Sequence, residues 1–414
     1  MSAPPPDHGG GRVSRRPRSA RRRAKRRRAA LLVAVVALVV VAAVSAAWAL
    51  TGHPSAAPSP GSSGGVTVVA DSPAHGGSST PGVSSTGSSP VKPTPAGSPT
   101  VISIGWVGDT TPGSMYGLAP DGGRALFGAM PALLRKPDLM IANLEGTYST
   151  AGPSKSAGSS SGTSFSFQAP PSYASALSWS GIDLVNMANN HAMDYLQRGY
   201  DQTQAALRRA HVAYTGAPDT ITTVRVRGVR VAVMGFSPYP WSAPLNDIPS
   251  AAALVRRAAG EADVVIVLMH AGAEGADQTH TPTGDQTYLG EDRGDVRAFA
   301  HAMVAAGADL VLGSGPHVIR GIERYHARLI AYSLGNFAGW HNFGLGGDLS
   351  LSGLLTVRVT QTGRVVGGRW LALQLVSPGV PTVDGSGQSL QLVRSLSADD
   401  FAHTFRFDSR GSFR

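Results

Sequence analysis

From residue 101 onward, the chain alternates short apolar runs with stretches of helical spacing, and each apolar run ends in a polar cluster. Short apolar runs bounded by turn signals are typical of buried strands. We predict strands at 102–107, 139–143, 184–187, 231–236, 264–269 and 310–312. We predict helices at 197–209, 251–259 and 292–306. Strands that alternate with helices indicate a layered α/β sheet.

The end of the chain has a different pattern. Segments 321–332, 353–361 and 365–375 alternate apolar and polar residues, and a Thr362-Gly363 turn separates the last two. This alternation predicts antiparallel strands and a hairpin. The Ser/Gly-rich segment 151–163 predicts a mobile loop. The predicted fold is therefore α/β with an antiparallel C-terminal portion.

Ligand-type residues follow the predicted strands. In open α/β sheets, ligands bind beyond the carboxyl ends of the strands. The residues there are Asp109, Asn143, Glu145, Asn189, Asn190, His191, His270, Glu274 and His317. Carboxylate and amide oxygens suit hard divalent cations, and imidazole suits Mn, Fe and Zn. The pattern predicts a site for a divalent metal ion, and two such ions could polarise a phosphoryl group.

Each of these residues also has a structural alternative. Asp109 could cap the following turn, and Asn189 or Asn190 could occupy a turn position with positive φ. His270 could be a hydrogen-bonded core residue, and Glu145 could bind backbone amides. Spacing alone leaves both interpretations open.

Several of the same residues form motifs that resemble one protein family. They are Gly108-Asp109, Asn143-Leu144-Glu145, Asn189-Asn190-His191 with Asp194, His270 to Glu274, and Pro316-His317-Val318 leading to Glu323 and to Tyr332-Ser333-Leu334-Gly335-Asn336-Phe337. In this order they resemble the CapA family, which is associated with synthesis of poly-γ-glutamate capsules. The family's domain is similar to calcineurin-like metallophosphoesterases, so the resemblance implies a metallophosphoesterase-like sandwich over residues 101–408.

The resemblance also implies roles for individual residues. The implied metal ligands or their near neighbours are Asp109, Asn190, His191, His270 and His317. The implied catalytic residues are His191, His270 and Glu145, and the implied substrate-binding residues are Asn143, Glu274 and Asn336. The implied cofactor is one or two divalent ions, with Mn, Fe or Zn as candidates.

Two departures from the family pattern affect the metal site. The family has His-Pro-His where this chain has Gly315-Pro316-His317, so one imidazole is missing. Like its relatives, the chain also lacks the Asp-x-His of ordinary phosphoesterases. The loss of one ligand weakens one of two metal positions unless His341, a carboxylate or water substitutes for it.

The N-terminal region is not globular in composition. Residues 1–28 contain eleven Arg or Lys residues against one Asp, and residues 29–50 carry no charge. As a helix the apolar run would span about 33 Å, enough to cross a hydrocarbon core of about 30 Å. The positive-inside rule then places the basic tail in the cytoplasm and the following domain outside the membrane. A cleaved signal peptide, with Ala47-Trp48-Ala49 as its cleavage site, is the alternative.

The remaining composition limits the choices further. Segment 51–100 holds 30 Ser, Gly or Pro residues in 50, which predicts a disordered linker. The chain has no cysteine, so disulfides and thiolate-bound zinc are excluded. Downstream of residue 28 acidic and basic residues are equal in number, so charge does not indicate a nucleic-acid partner.

These features predict a membrane-anchored, CapA-like protein with a metal-dependent hydrolase domain outside the cell. The expected partners are the membrane, a phosphoester or an anionic surface polymer such as poly-γ-glutamate, and other capsule-synthesis membrane proteins. One alternative is a non-catalytic accessory or export component that binds the polymer. A third is hydrolysis of γ-glutamyl amides by the same metal site.

Overall fold

The computed structural model of the protein describes residues 99–114, 116–157 and 165–414. The predicted tail at 1–28, the apolar span at 29–50 and nearly all of the predicted linker lie outside the described residues, as do residues 158–163 of the predicted loop. Within the described ranges, no helix is long and apolar enough to span a bilayer.

Strands and helices alternate through the first part of the described chain, and strands dominate the last part. The strands are β1 (Val101–Thr110), β2 (Leu139–Leu144), β3 (Thr147–Tyr148), β4 (Gln168–Ala169), β5 (Leu184–Asn186), β6 (Ala213–Thr215), β7 (Thr222–Val226), β8 (Val229–Ser237), β9 (Ala243–Pro244), β10 (Val264–His270), β11 (Gln286–Tyr288), β12 (Glu291–Gly294), β13 (Leu310–Ser314), β14 (Ile322–Tyr325), β15 (Arg328–Ala331), β16 (Asn336–Ala338), β17 (Leu351–Thr360), β18 (Val365–Val376), β19 (Val380–Val383) and β20 (Ser412–Phe413). The helices are α1 (Pro131–Leu134), α2 (Ser175–Ser180), α3 (Leu196–Arg209), α4 (Ile248–Glu261), α5 (Val296–Ala306) and α6 (Gln388–Asp400). Short 3-10 helices lie at Asp121–Phe127, Pro171–Ala174 and Gly347–Ser350.

Two mixed sheets form the body of this domain. The first has the order β19-β18-β17-β1-β2-β5-β6, with β16 beside β1 and β20 beside β18. The second has the order β14-β15-β13-β10-β8-β7, with β9 beside β8. Strands β1, β2, β5 and β6 run parallel, as do β8, β10, β13 and β15, whereas β17, β18 and β19 are antiparallel. The predicted α/β sheet and the antiparallel C-terminal portion are both confirmed.

The two sheets pack face to face because their strands are apolar on both sides. Along β2, Leu139 and Ile141 point into the core shared by the sheets, while Met140 points to a second core under helices α2 and α3. Along β10, Ile266 faces the shared core and Val267 faces helices α4 and α5. Successive side chains of a strand point to opposite faces, so each sheet is covered on both sides. The result is a helix-sheet-sheet-helix sandwich.

The structure corrects one predicted helix. The helix predicted at 292–306 begins at Val296, and Glu291–Gly294 is a strand. Gly294 has φ of 76°, and the Asp295 carboxylate accepts hydrogen bonds from the backbone N–H groups of Arg297 and Ala298. A left-handed glycine followed by an aspartate cap therefore sets the start of this helix.

The C-terminal end of the sandwich also extends beyond the predicted boundary. Strand β20 lies past residue 408, where we predicted the domain to end, and Ser412 pairs with Arg369 of β18. Phe413 is buried in the core between the sheets. The last residues of the chain therefore belong to this fold.

Candidate metal centre and cleft

The carboxyl ends of the parallel strands meet at one edge of the sandwich. In the first sheet, Asp109 of β1 lies opposite Asn143 of β2. In the second sheet, His270 of β10 lies opposite Ser314 of β13. The sheets are joined at this edge by the Trp106 indole, whose Nε1–H donates to the carbonyl of Gly313 at 3.1 Å. Strand register and sheet packing thus bring distant polar residues together.

Asn143 is the centre of a buried hydrogen-bond network. Its Nδ2 donates to Asp109 Oδ1 at 2.8 Å and lies 3.2 Å from His270 Nδ1. Its Oδ1 accepts from the side-chain amides of Asn186 at 3.0 Å and Asn189 at 3.3 Å. This arrangement fixes the positions of Asp109 and His270 relative to each other.

Asp109, Glu145 and His270 form a fully buried group. One potential ligand atom from each lies within 4.8 Å of the others. Neither oxygen of the Glu145 carboxylate has a hydrogen-bond partner in the part of the chain that the structure describes, and the same holds for Nε2 of His270. Unsatisfied buried carboxylate oxygens are costly, whereas a cation would satisfy them. The donor set therefore fits a divalent metal ion.

Electrostatics support the same conclusion. Burial and the neighbouring Asp109 raise the pKa of Glu145 well above its usual value. Burial lowers the pKa of His270, which keeps its imidazole neutral and able to bind a metal. Although burial opposes it, hydrogen bonding and attraction to His317 lower the pKa of Asp109. The group thus holds carboxylates that a divalent cation would stabilise in their ionised form.

His317 lies beside this group in a left-handed conformation, with φ of 60°. Its Nδ1 is 2.8 Å from Asn336 Oδ1 and 3.3 Å from Asp109 Oδ2. Its Nε2 lies 3.7 Å from Glu145 Oε1 and 3.6 Å from Glu274 Oε2. Burial opposes protonation, but the carboxylates of Glu145 and Glu274 outweigh it and raise the pKa of His317.

His191 faces the site from the first sheet. Its Nδ1 is held by the Asp194 carboxylate at 2.9 and 3.0 Å, and Lys155 Nζ lies 2.8 Å from the same carboxylate. The neighbouring Asn190 has a buried side-chain oxygen without a partner among the described residues, whereas Asn189 donates to Asn143 and to the carbonyl of Leu144. Asn189 is therefore structural, and Asn190 and His191 present free atoms.

A cleft of about 590 Å³ opens above these residues. His191, Asn190, Glu274, His317 and Asn336 line it, together with Arg293. Its walls are rich in aromatic side chains, which are Tyr116, Phe165, Phe167, Tyr239, Trp241, Tyr288 and Phe343. The rings of Tyr239 and Trp241 are stacked at 5.1 Å. The cleft thus combines an apolar wall with a polar floor, as small-molecule sites do.

The structure brings the predicted site residues together at one edge of the sandwich. Asn143 is fully buried and does not line the cleft, so it positions other residues instead of binding substrate. The Asn336 amide holds His317 through its Oδ1 and through a bond from Nδ2 to the His317 carbonyl at 3.3 Å. His341, considered as a substitute for the missing imidazole, is exposed with its ring against Trp340.

Sequence reasoning missed two residues of the site, Arg293 and Tyr239. Arg293 is fully buried and pairs with Glu274, Nη1 to Oε1, at 2.9 Å, and its Nη1 also donates to the Tyr239 hydroxyl at 2.8 Å. Neither residue comes directly after a predicted parallel strand, and neither belongs to a recognisable motif. The Gly294-Asp295 pair is a signal that could have separated Arg293 from the following helix.

Two facing mixed sheets with a buried Asp-Glu-His group at their shared edge define an α/β sandwich domain with a candidate divalent-metal centre. The sequence profile of the family described as "Bacterial capsule synthesis protein PGA_cap" matches residues 103–339. That match covers more than half of the chain, and the chain belongs to this family. The resemblance to CapA proteins is thereby confirmed.

Individual relatives carry related names. The chain is 32% identical over 188 residues to the capsule biosynthesis protein CapA of Bacillus anthracis, and 31% identical over 177 residues to the PGA biosynthesis protein CapA of Bacillus subtilis strain 168. The matches cover 40% and 38% of this chain and 43% of each relative. A probable polyglutamine synthesis accessory protein of Mycobacterium tuberculosis is 26% identical over 219 residues, which are 46% of this chain and 53% of that protein. The chain therefore matches about half, or less, of each of these relatives.

Similar solved structures include two from the 5'-nucleotidase group. One is a putative 5'-nucleotidase from Staphylococcus aureus, with a TM-score of 0.39, 14% identity, and coverage of 72% of this chain and 58% of that one. The other is a 5'-nucleotidase precursor from Thermus thermophilus, with a TM-score of 0.38, 14% identity, and coverage of 72% and 59%.

Proposed function

We propose that this protein is a metal-dependent hydrolase of capsule synthesis that acts on a phosphoester or on an anionic surface polymer such as poly-γ-glutamate. The observation that carries the proposal is the buried Glu145 carboxylate, whose oxygens lack hydrogen-bond partners among the described residues and lie beside Asp109 and His270. Membership of a capsule synthesis family supports the polymer as the biological context.

Each polar residue has a part in the proposed reaction. Asp109, Glu145 and His270 would hold a divalent cation, with Asn190 and His317 close to it. When bound, such a cation polarises a phosphoryl or carbonyl oxygen of the substrate. His191, oriented by Asp194 through Nδ1, presents Nε2 toward the cleft and would protonate the leaving group.

The proposal includes a location outside the cell. The basic tail and the uncharged run at 29–50 support a single membrane anchor with the cytoplasmic tail at the N-terminus. The domain would then meet its polymer at the cell surface, beside other membrane proteins of capsule synthesis. Protease treatment of intact cells tests this topology, since only an external domain would be digested.

Metal content and turnover test the enzymatic proposal. The purified full chain should bind a divalent cation from Mn, Fe or Zn and hydrolyse either bis(p-nitrophenyl) phosphate or a γ-glutamyl oligomer. Glu145→Gln should lose the cation and turnover together, because it removes one anionic ligand. His191→Ala should keep the cation and lose turnover by about 100-fold or more, the usual contribution of a general acid.

The two variants also show how the proposal would fail. A wild-type chain without bound cation, or an active Glu145→Gln variant with unchanged metal content, would contradict it. The two substrates separate phosphoester hydrolysis from γ-glutamyl amide hydrolysis, since both bonds are open to metal-assisted attack.

A non-catalytic accessory role is the second candidate, and two observations favour it. Gly315 stands where the CapA pattern has an imidazole, and one relative is named a probable accessory protein. In cells lacking the native gene, an accessory role predicts that the His191→Ala variant restores the surface polymer fully. The hydrolase proposal predicts that only the wild-type chain restores it.

A further inference from the structure

The buried arginine at the edge of the cleft, Arg293, makes two hydrogen bonds and one ion pair with protein partners. Arg293 Nε donates to the carbonyl of Gly272 at 3.0 Å. Its Nη1 donates to the Tyr239 hydroxyl at 2.8 Å and lies 2.9 Å from Glu274 Oε1. The Tyr239 hydroxyl donates in turn to Glu291 Oε2 at 2.7 Å. The protein thus fixes Nε and Nη1 of Arg293 in place.

The remaining nitrogen, Nη2, is buried and has no hydrogen-bond partner in the described ranges. Arg293 lines the cleft, and its charge acts on both Glu145 and His270. An arginine N–H is a strong donor that forms short, charge-assisted bonds to anionic oxygens. The free nitrogen therefore lies beside the candidate metal centre and is available to a ligand.

Gly315 packs closely against Arg293, and a side chain at this residue would crowd the guanidinium. A side chain at residue 315 would place its Cβ 3.2 Å from Arg293 Nη2 and 3.0 Å from the backbone nitrogen of Ala271. Gly315 has φ of 111°, and its own N–H donates to Asp109 Oδ2 at 3.3 Å. The absence of a side chain at residue 315 therefore lets Arg293 Nη2 lie close to the backbone segment that donates to Asp109.

Resting on the proposed function, we infer that Arg293 is an anion-binding residue of this site, which binds an oxygen of a substrate phosphoryl or carboxylate group through Nη2. In this arrangement the site carries one divalent cation and one guanidinium. The family pattern has an additional imidazole at residue 315, which would help to hold a second cation. In this chain the guanidinium of Arg293, close to residue 315, supplies a positive charge instead. Glu274 and Tyr239 orient the guanidinium, and Gly315 avoids a side chain that would crowd Nη2.

Calorimetric titration of the full chain with inorganic phosphate and with glutarate tests the inference and separates the two anion classes. At least one anion should bind the manganese-loaded wild type. Arg293→Met should weaken that binding by about 10-fold or more, since a charge-assisted hydrogen bond is lost. The manganese content should stay at one ion per chain in both proteins.

Two further variants guard against a general loss of structure. Arg293→Lys keeps the charge but lacks the planar fork, and should also bind the anion more weakly than the wild type, by about 3-fold or more. Arg320→Lys changes another fully buried arginine that does not line the cleft, and should bind within about 2-fold of the wild type. If Arg293→Met does not fold, Arg293→Lys decides the question.

Three results would overturn the inference. They are unchanged anion affinity in a folded Arg293 variant, two manganese ions per wild-type chain, and no binding of either anion below about 10 mM. Absence of turnover in the wild type would contradict the proposed hydrolase and not the anion site, because binding is measured directly.

Discussion

The two sheets contribute different chemistry to the shared edge. The first sheet contributes Asp109, Asn143 and Asn189, which are bonded to each other or to nearby backbone. The second contributes His270, and the segment that follows β13 contributes His317. Most polar atoms of β1 and β2 are satisfied, whereas the carboxylate of Glu145, directly after β2, and Nε2 of His270 have no hydrogen-bond partner among the described residues.

This difference separates positioning from binding. A hydrogen-bonded network such as that around Asn143 fixes geometry because every member restricts the others. Unpaired buried atoms carry an energetic cost, and they are retained where a ligand can satisfy them. We therefore regard the hydrogen-bond network around Asn143 as the rigid support and the space between Glu145 and His270 as the binding site.

The largest expected effect comes from removing the centre of the first-sheet network. Asn143→Ala deletes one donor to Asp109 and one acceptor shared by Asn186 and Asn189. We expect the free energy of unfolding to fall by about 2–4 kcal/mol, with weaker cation binding, because buried polar partners lose their bonds. Urea unfolding and metal titration measure the two effects.

The matched control lies across the edge, in the second sheet. Ser314 Oγ is 3.2 Å from the same His270 Nδ1 that Asn143 approaches. Ser314→Ala should lower the free energy of unfolding by less than about 1.5 kcal/mol, the usual value of one hydrogen bond. Equal losses of unfolding free energy in Asn143→Ala and Ser314→Ala would show that the Asn143 network does not stabilise this edge more than Ser314 does.

A smaller effect is expected in the pH dependence of the metal-free protein. Burial and Asp109 raise the pKa of Glu145 above its ordinary value of 4.5. A raised folded-state pKa stabilises the fold below the unfolded value, and this contribution is lost as the pH rises through the folded value. In chelator, the wild type should therefore lose stability relative to Glu145→Gln as the pH rises above 4.5 and through the raised pKa of Glu145, which urea unfolding at several pH values measures.

The other titrating groups allow this comparison. Attraction to Glu145 and Glu274, stronger than the opposing burial, raises the pKa of His317, so its contribution is lost in the same direction. The pKa values of Asp109 and His270 are lowered, and we expect these shifts in the wild type and in Glu145→Gln alike, so they cancel in the comparison. A stability difference that stays flat with pH, or grows in favour of the wild type, would contradict the buried and unpaired state of Glu145.

Much of the site could be predicted because parallel strands end at a common edge. Asp109, Asn143 and His270 each follow an apolar run, and their convergence follows from the α/β pattern. The sequence could not show which polar atoms would be paired. Asn143 and Glu145 are two residues apart, yet the Asn143 amide is hydrogen-bonded and the Glu145 carboxylate has no hydrogen-bond partner among the described residues, because the folded sheets decide their neighbours.

Arg293 shows where sequence reasoning stops. It stands in the polar run Glu291 to Asp295, which resembles an exposed turn or the start of a helix. Its burial depends on Tyr239, 54 residues earlier, and on Glu274. Contacts between such distant segments leave no local periodicity in the sequence. The start of helix α5, by contrast, is set locally by Gly294 and the Asp295 cap.

The smallest expected effect tests whether an exposed imidazole replaces the one missing at residue 315. His341 is exposed and has φ of 59°, a conformation that asparagine also tolerates. We expect His341→Asn to change cation affinity by less than about 2-fold and the free energy of unfolding by less than about 0.5 kcal/mol. Metal titration and urea unfolding of the full chain measure both. A clear loss of cation affinity would mean that His341 binds the metal ion. The site would then have a substitute for the missing imidazole, and Arg293 would not be needed to replace it.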